Sequence, residues 1–233
     1  MEISRDEQFD LELLGGAVRY QRWVLSAFEP VSGSVVEVGA GSGNMTRWLS
    51  ARADRVVAVE PHPALAERIE ALQLPNVDVL RTRIEDLPED ASGFDLAVSV
   101  NVLEHIEDDE GAVRAMARLV RPGGRLAILV PAHRLLSGKL DRRYHHLRRY
   151  SRRGVAALLD HAGVEIERVR YFNPLGAIGW LLFVRLLGRT RLSAFNIWAT
   201  ERIAVPTGQA LERIGFHPFG QSVIAIGRRP MHG

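Results

Sequence analysis

The chain contains no cysteine. Disulfides, thiolate metal sites and a cysteine nucleophile are therefore excluded, and a reducing compartment fits. It also lacks a long apolar run. The most apolar stretch, Leu175 to Val184, ends at Arg185, well short of the roughly 20 residues that a bilayer-spanning helix takes. No stable membrane span is expected. The opening segment, MEISRDEQFDLELL, is acidic and has no basic stretch leading into an apolar one. It does not read as a secretory signal, and a cytoplasmic protein is expected. An excess of one charge is missing too: 30 Lys and Arg against 28 Asp and Glu leave +2. Nucleic-acid binding, which needs a concentrated basic face, is not called for by that balance.

What is present is the composition of an ordinary globular protein, 46% hydrophobic and 25% charged over 233 residues. Short apolar runs alternate with amphipathic segments. Val35 to Val38, Val56 to Val59, Val77 to Leu80, Leu96 to Val100 and Leu126 to Val130 read as strands of a sheet covered on both faces. Helical patterns lie between them at Met45 to Ala53, Pro63 to Leu72 and Glu110 to Val120, the last stopped by Arg121-Pro122-Gly123-Gly124. A helix from Arg153 to His161, a strand from Val164 to Tyr171 and a last strand from Ser222 to Gly227 complete the pattern. The expectation is an α/β, Rossmann-like, seven-stranded, mostly parallel sheet with helices on both faces and an insertion before the last strand. A single domain over residues 1–233 is expected. It divides into an N-terminal helical lid (1–30), a ligand-binding core (31–171), a lid insertion (172–221) and the last strand (222–228).

The most informative stretch is Glu37-Val38-Gly39-Ala40-Gly41-Ser42-Gly43-Asn44. A strand ends, the chain turns, and a helix opens with its N–H groups facing a ligand. Glycines let the backbone approach that ligand closely. A dinucleotide fingerprint would need a third glycine where Asn44 stands. The acid Glu37 instead suits a cationic ligand end. Glu60, 17 residues after Gly43, can accept both hydroxyls of a ribose, a device that nicotinamide enzymes share.

These motifs resemble those of the class I S-adenosylmethionine-dependent methyltransferases. Glu37 to Gly43 is similar to that family's first motif and Val59-Glu60-Pro61 to its second. Ile84-Glu85-Asp86-Leu87-Pro88 resembles the adenine-side motif, Phe94 to His105 the fourth-strand motif, and Leu119 to Gly124 the turn into strand five. The likeness covers about Tyr20 to Tyr171. Arg83 stands where many members carry an acid for the adenine amino group, and arginine cannot accept a hydrogen bond. A narrower likeness, through Tyr20-Gln21-Arg22-Trp23, Arg148-Arg149-Tyr150-Ser151, Tyr171 to Gly176 and Pro218 to Ser222, is to a bacterial subgroup often found beside or fused to glycosyltransferases.

The resemblance implies S-adenosylmethionine as cofactor. It implies cofactor contacts from Tyr20, Glu37, Gly39, Ala40, Gly41, Gly43, Asn44, Glu60, Pro61, Ile84, Glu85, Asn101 and Val102. His105, after the fourth strand, and His133, after the fifth, are the candidate bases for an acceptor hydroxyl. Tyr144, His145, Arg148, Arg149 and Tyr150 are candidate acceptor contacts, from a segment (Lys139 to Arg153) with seven basic residues and one acid. The adjacent His145 and His146 do not by themselves make a metal site, and no metal is expected. The apolar run Trp180 to Leu187 needs a buried face, against protein, membrane or ligand. Methyl transfer to a small, mainly apolar acceptor at oxygen, hydroxyl or carboxylate, is the leading expectation. A cofactor-binding protein with another reaction, or a nicotinamide oxidoreductase, is the alternative.

Overall fold

In the computed structural model, residues 13, 15–88, 91–186, 193–215 and 217–231 are described. Parts of both expected lids, residues 1–12 and 14 and residues 187–192 (Leu187 included), lie outside the described residues. In chain order come α1 (Val18–Phe28), β1 (Ser34–Val38), α2 (Thr46–Ser50), β2 (Arg55–Val59), α3 (Pro63–Glu70), β3 (Val77–Leu80), β4 (Phe94–Val100) and α4 (Asp109–Leu119). Next are β5 (Val120–Pro131), α5 (Lys139–Arg143), α6 (Arg152–His161), β6 (Glu165–Phe172), α7 (Pro174–Gly179), α8 (Ala194–Ala199), α9 (Val205–Arg213) and β7 (Ser222–Arg228).

The strands form one seven-stranded sheet in the order β3-β2-β1-β4-β5-β7-β6. β7 runs antiparallel to both of its neighbours, and the other pairings are parallel. Side chains alternate between the faces of a strand, so a run such as Val35-Val36-Glu37-Val38 must find cover on both. Val36, Val38, Val57, Leu126, Ile128, Val130 and Val223 pack under α4 and α6. Val35, Val56, Val98, Ala127, Leu129, Ile224 and Ile226 pack under α1, α2 and α9. That double cover is why these strands read as unbroken apolar runs.

The sheet order reverses at β1 and β4, so the loops after their carboxyl ends diverge and leave a crevice. One expectation is corrected here. Arg121-Pro122-Gly123-Gly124 does end a helix, at Leu119, but the segment belongs to β5. Phe94 pairs with Val120 and Leu96 with Arg125, so Arg121 to Gly124 bulge out of the ladder. Gly123 takes φ +76° in the bulge, and Arg121 Nε donates to Asp95 Oδ1 at 2.7 Å. After β6 the chain forms α7, a π-helical stretch at Trp180–Leu186, then α8, a second π-helical stretch at Thr200–Ala204, and α9. No helix among the described residues is long and apolar enough to cross a membrane.

Candidate active site

The site is built from the loops after β1, β2 and β4. Gly39 and Ala40 donate their N–H groups to Val59 O at 2.8 and 3.2 Å, which locks the turn after β1 against the end of β2. Gly39, Gly41 and Gly43 all have positive φ, at +71°, +58° and +79°, where a Cβ is strained. At Gly39 a Cβ would also collide with the Val102 side chain, whereas at Gly41 it would meet nothing within 4 Å among the described residues. The loop is thus braced from behind and open in front.

Two carboxylates flank it. Glu37 is buried and accepts from Thr46 Oγ1 at 2.6 Å. Burial, with Glu60 adding like charge and Thr46 acting against it, pushes its pKa up to about 8. Glu60 accepts the Gly41 N–H at 2.8 Å through one oxygen and the His62 N–H at 2.9 Å through the other. Burial raises its pKa against those two hydrogen bonds. Each carboxylate oxygen has a second lone pair, so Glu60 can still accept from a diol. Thr46 was not singled out from sequence; a hydroxyl at the start of the helix behind the glycines was the available signal.

The other expected cofactor residues come from α1 and from the ends of β1, β2, β3 and β4. A Cβ on Gly15 would come within 3.1 Å of Asn44 Oδ1, so the chain just ahead of α1 runs beside the residue that follows Gly43. Tyr20 packs its ring 6.2 Å from that of Phe172. Burial pushes its hydroxyl up to about 12, against a hydrogen bond with Ser222 at the carboxyl edge of the sheet. Pro61 is exposed just after β2. Ile84 is buried and Glu85 exposed in a short 3-10 turn after β3. Asn101 has φ +54° and donates its N–H to Leu129 O at 2.8 Å, so β4 ends there and Val102 turns beneath Gly39.

The residues expected on the acceptor side lie in the segments after β4, β5 and α5. His133 has φ +57° and stacks on Tyr171 at 4.4 Å between ring centroids. Its Nε2 is buried without a hydrogen-bond partner among the described residues. Burial, then the nearby Arg149, lowers its pKa, so the ring is held neutral. His105 is exposed, and its ring meets the His146 ring edge-on at 4.9 Å. Tyr144 is half-buried, 6.0 Å from the His146 ring, and His145 is exposed. Arg148, Arg149 and Tyr150 are engaged within the protein. Arg148 pairs with Asp109 at 2.9 Å and donates to Glu107 O. Arg149 is buried, donates to Asp141 Oδ1 at 2.6 Å and to Ala132 O at 3.0 Å, and lies 4.7 Å from the Trp180 ring. The Tyr150 hydroxyl donates to Asp109 Oδ2 at 2.8 Å.

Sequence reading missed the residues that organise this edge. Asp141 receives Arg149, His146 Nδ1 and the Gly138 N–H. Glu104 is fully buried, and neither carboxylate oxygen has a hydrogen-bond partner among the described residues. Burial pushes its pKa up to about 8. An acid four residues after a buried strand was the signal for Glu104. For Asp141, the single acid in a basic segment was the signal.

The sequence profile of the methyltransferase domain family matches residues 16–169. The ubiquinone biosynthesis O-methyltransferase of Xanthomonas axonopodis pv. citri is 28% identical over 73% of this chain and 77% of its own length. An S-adenosylmethionine-dependent methyltransferase from Mesorhizobium loti shares the fold, with a TM-score of 0.63 and 19% identity over 90% of this chain and 98% of that one. A chain of the Haloferax volcanii complex of the Trm112 methyltransferase activator shares it at a TM-score of 0.65 and 19% identity over 99% of each. The glycine loop between two acids, the reversal of sheet order behind it and the profile match agree: the chain belongs to the methyltransferase domain family, of the class I, S-adenosylmethionine-dependent kind.

Proposed function

We propose that the protein transfers a methyl group from S-adenosylmethionine to an oxygen of a small, mainly apolar acceptor. The observation that carries the cofactor half is the pairing of Glu37 and Glu60 on either side of a glycine loop that is open in front. S-adenosylmethionine supplies an activated methyl group on a sulfonium, whose sulfur leaves without needing a proton. Glu37 faces the cationic amino end. Glu60 accepts the ribose hydroxyls with its remaining lone pairs while the Gly41 and His62 amides hold it in place. Tyr20, Gly39, Ala40, Gly43, Asn44 and Pro61 shape the same mouth, with Ile84, Glu85, Asn101 and Val102 on the adenine side. Aligning acceptor and cofactor is the protein's main task, and orientation can contribute about 7–11 kcal/mol in favourable cases.

Oxygen is supported by the relatives named O-methyltransferases. For a hydroxyl acceptor, His133 suits proton removal: its ring is held neutral, and its Nε2 has an unused lone pair or proton. The apolar character is supported by the insertion after β6, which exposes Leu181, Leu182, Phe195 and Trp198. Residues 1–30 and 172–221 then act as the two lids of the site.

The test is calorimetry with S-adenosylhomocysteine. Charge-assisted hydrogen bonds contribute about 1.5–3 kcal/mol each. Glu60→Ala therefore weakens binding at least about tenfold, with the circular dichroism of the fold retained. An unchanged dissociation constant, or binding of NAD in its place, removes the reading.

A further inference from the structure

We propose that Glu104, His105 and His146 bind a divalent transition-metal ion at the acceptor edge of the sheet. The three residues come from two places: the short 3-10 turn after β4 (Leu103–His105) and the turn after α5. One ligand atom from each lies within 4.8 Å of the others. Two independent features point to a cation there.

The first is Glu104. Its side chain has no solvent exposure, and both oxygens lack a hydrogen-bond partner among the described residues. A buried carboxyl without partners is costly in either protonation state, and a bound cation removes that cost. The nearest guanidinium, on Arg149, is committed to Asp141 and to the Ala132 carbonyl.

The second is the orientation of His146. Its Nδ1 faces Asp141 Oδ1 at 3.1 Å, and its Nε2 faces Glu104 Oε1 at 4.0 Å. Asp141 also accepts from Arg149 Nε at 2.6 Å and from the Gly138 N–H at 2.8 Å, so it stands as an acceptor toward His146. With the Nδ1–H donating to Asp141, the lone pair of the neutral ring lies on Nε2, on the side of Glu104. A carboxylate holding one ring nitrogen while the other ligates is the usual outer-shell arrangement of metal-binding histidines. His105 stands edge-on to the same ring and closes the third side.

The donor set selects the metal. Two imidazoles and one carboxylate suit zinc, cobalt, manganese or iron(II) rather than magnesium or calcium. With metal–ligand bonds of about 2.0–2.2 Å, the ligand atoms must draw in to roughly 3.4 Å from one another, a short movement for the exposed His105. Three protein ligands leave coordination positions open. If the proposed O-methyl transfer is right, an acceptor oxygen occupies one of them and its hydroxyl is acidified there. That use rests on the proposed function; the metal site does not.

The experiment is a titration of the full chain, stripped with chelator, with Co²⁺ followed by its visible absorption, and with Zn²⁺ by competition against a chromophoric chelator. One saturating equivalent per chain is expected. His146→Ala and His105→Ala should each weaken binding at least about tenfold, as should Asp141→Asn through the outer shell. His161→Ala, an exposed histidine elsewhere, should bind as the parent does. Glu104→Gln should abolish the site; if it does not fold, His105→Ala carries the test. No saturable binding by the parent protein, or undiminished binding by the histidine variants, overturns the proposal. S-adenosylhomocysteine affinity is measured in parallel. Its loss with metal binding intact would sink the cofactor reading and leave the metal site standing.

Discussion

At the scale of single residues, burial and hydrogen-bond partners drive the acids of the candidate site in opposite directions. Glu37 and Glu104 are each pushed up to about 8 by burial, while Asp141 is brought to about 2 by its partners. An acid kept protonated by the fold holds a proton that the unfolded chain has released. The free protein should therefore lose stability as pH rises from the unfolded value, about 4.3, to about 8. Asp141 has the opposite sign: its contribution is present above about pH 4 and is lost as pH falls through about 2. Removing one partner of a buried pair costs about 3–5 kcal/mol, so Asp141→Ala should lower the urea midpoint far more than a surface change such as Glu110→Ala. Equal midpoints would show that the Arg149 pair contributes little. A second outcome concerns Glu37. A cationic amino group demands the ionised carboxylate, so S-adenosylhomocysteine binding at pH 7 should expel a proton. Calorimetry in buffers of different ionisation heat reads that proton, and Glu37→Gln should release none from this position. Parent protein that binds without proton release does not use Glu37 in this way. Glu37 and Glu60 were legible in sequence because strand ends and glycines fix their place. The meeting of Glu104 with Asp141 and His146 was not, because it depends on a loop that folds back across more than 35 residues of chain and carries no periodic signal.

Among the elements, the strands were the most legible part of the fold. β1, β2 and β3 lie where their β-branched runs stand. The start of β5 was hidden by the bulge at Arg121 to Gly124, whose proline and glycines read equally as a turn. The π-helical stretches at Trp180–Leu186 and Thr200–Ala204 had no signature either, since widening a helical turn leaves the apolar spacing ambiguous. The second stretch and α9 are tied to α1. Glu201 accepts the N–H groups of Arg19 and Tyr20, both at 2.9 Å, at the open start of α1. Trp23 of α1 donates to Glu212 of α9 at 2.8 Å. The backbone of α9 passes so close to the Trp23 ring that a Cβ at Gly208 would overlap it. Glycine to alanine in a helix normally stabilises by about 0.5–1 kcal/mol. Here overpacking, about 1–3 kcal/mol, should win, because Trp23 is buried and hydrogen-bonded in place. Gly208→Ala should lower the melting temperature, and a rise would show that α9 can slide off α1 freely.

Across the whole molecule, the sheet separates two kinds of chemistry along its carboxyl edge. The β1–β2 side offers acids and glycines, whereas the β5–β7–β6 side offers His133, Tyr171 and the segment after β6. That segment is anchored at one end, where the Trp180 indole donates to Leu136 O at 2.9 Å and lies under Arg149. Beyond the anchor it presents apolar groups outward. Phe195 and Trp198 stack at 5.8 Å, 59% and 53% exposed, with Leu182 at 47%. Scattered exposed apolar residues are ordinary; a stacked aromatic pair at the surface is the feature that the proposed apolar acceptor would cover. If that surface receives the acceptor's apolar part, the two halves of the active site can be uncoupled. Phe195→Ser with Trp198→Ser should leave S-adenosylhomocysteine affinity unchanged. It should also flatten the dependence of kcat/KM on acceptor chain length. Each buried methylene is worth about 0.8 kcal/mol, so a phenol with a long alkyl chain should outpace its unsubstituted parent by several-fold per carbon in the native protein. The doubly substituted protein should lose most of that gain through a higher KM, with kcat on the short acceptor intact. A native protein indifferent to chain length, or one that prefers free sugars, would show that the acceptor does not bind against this lid.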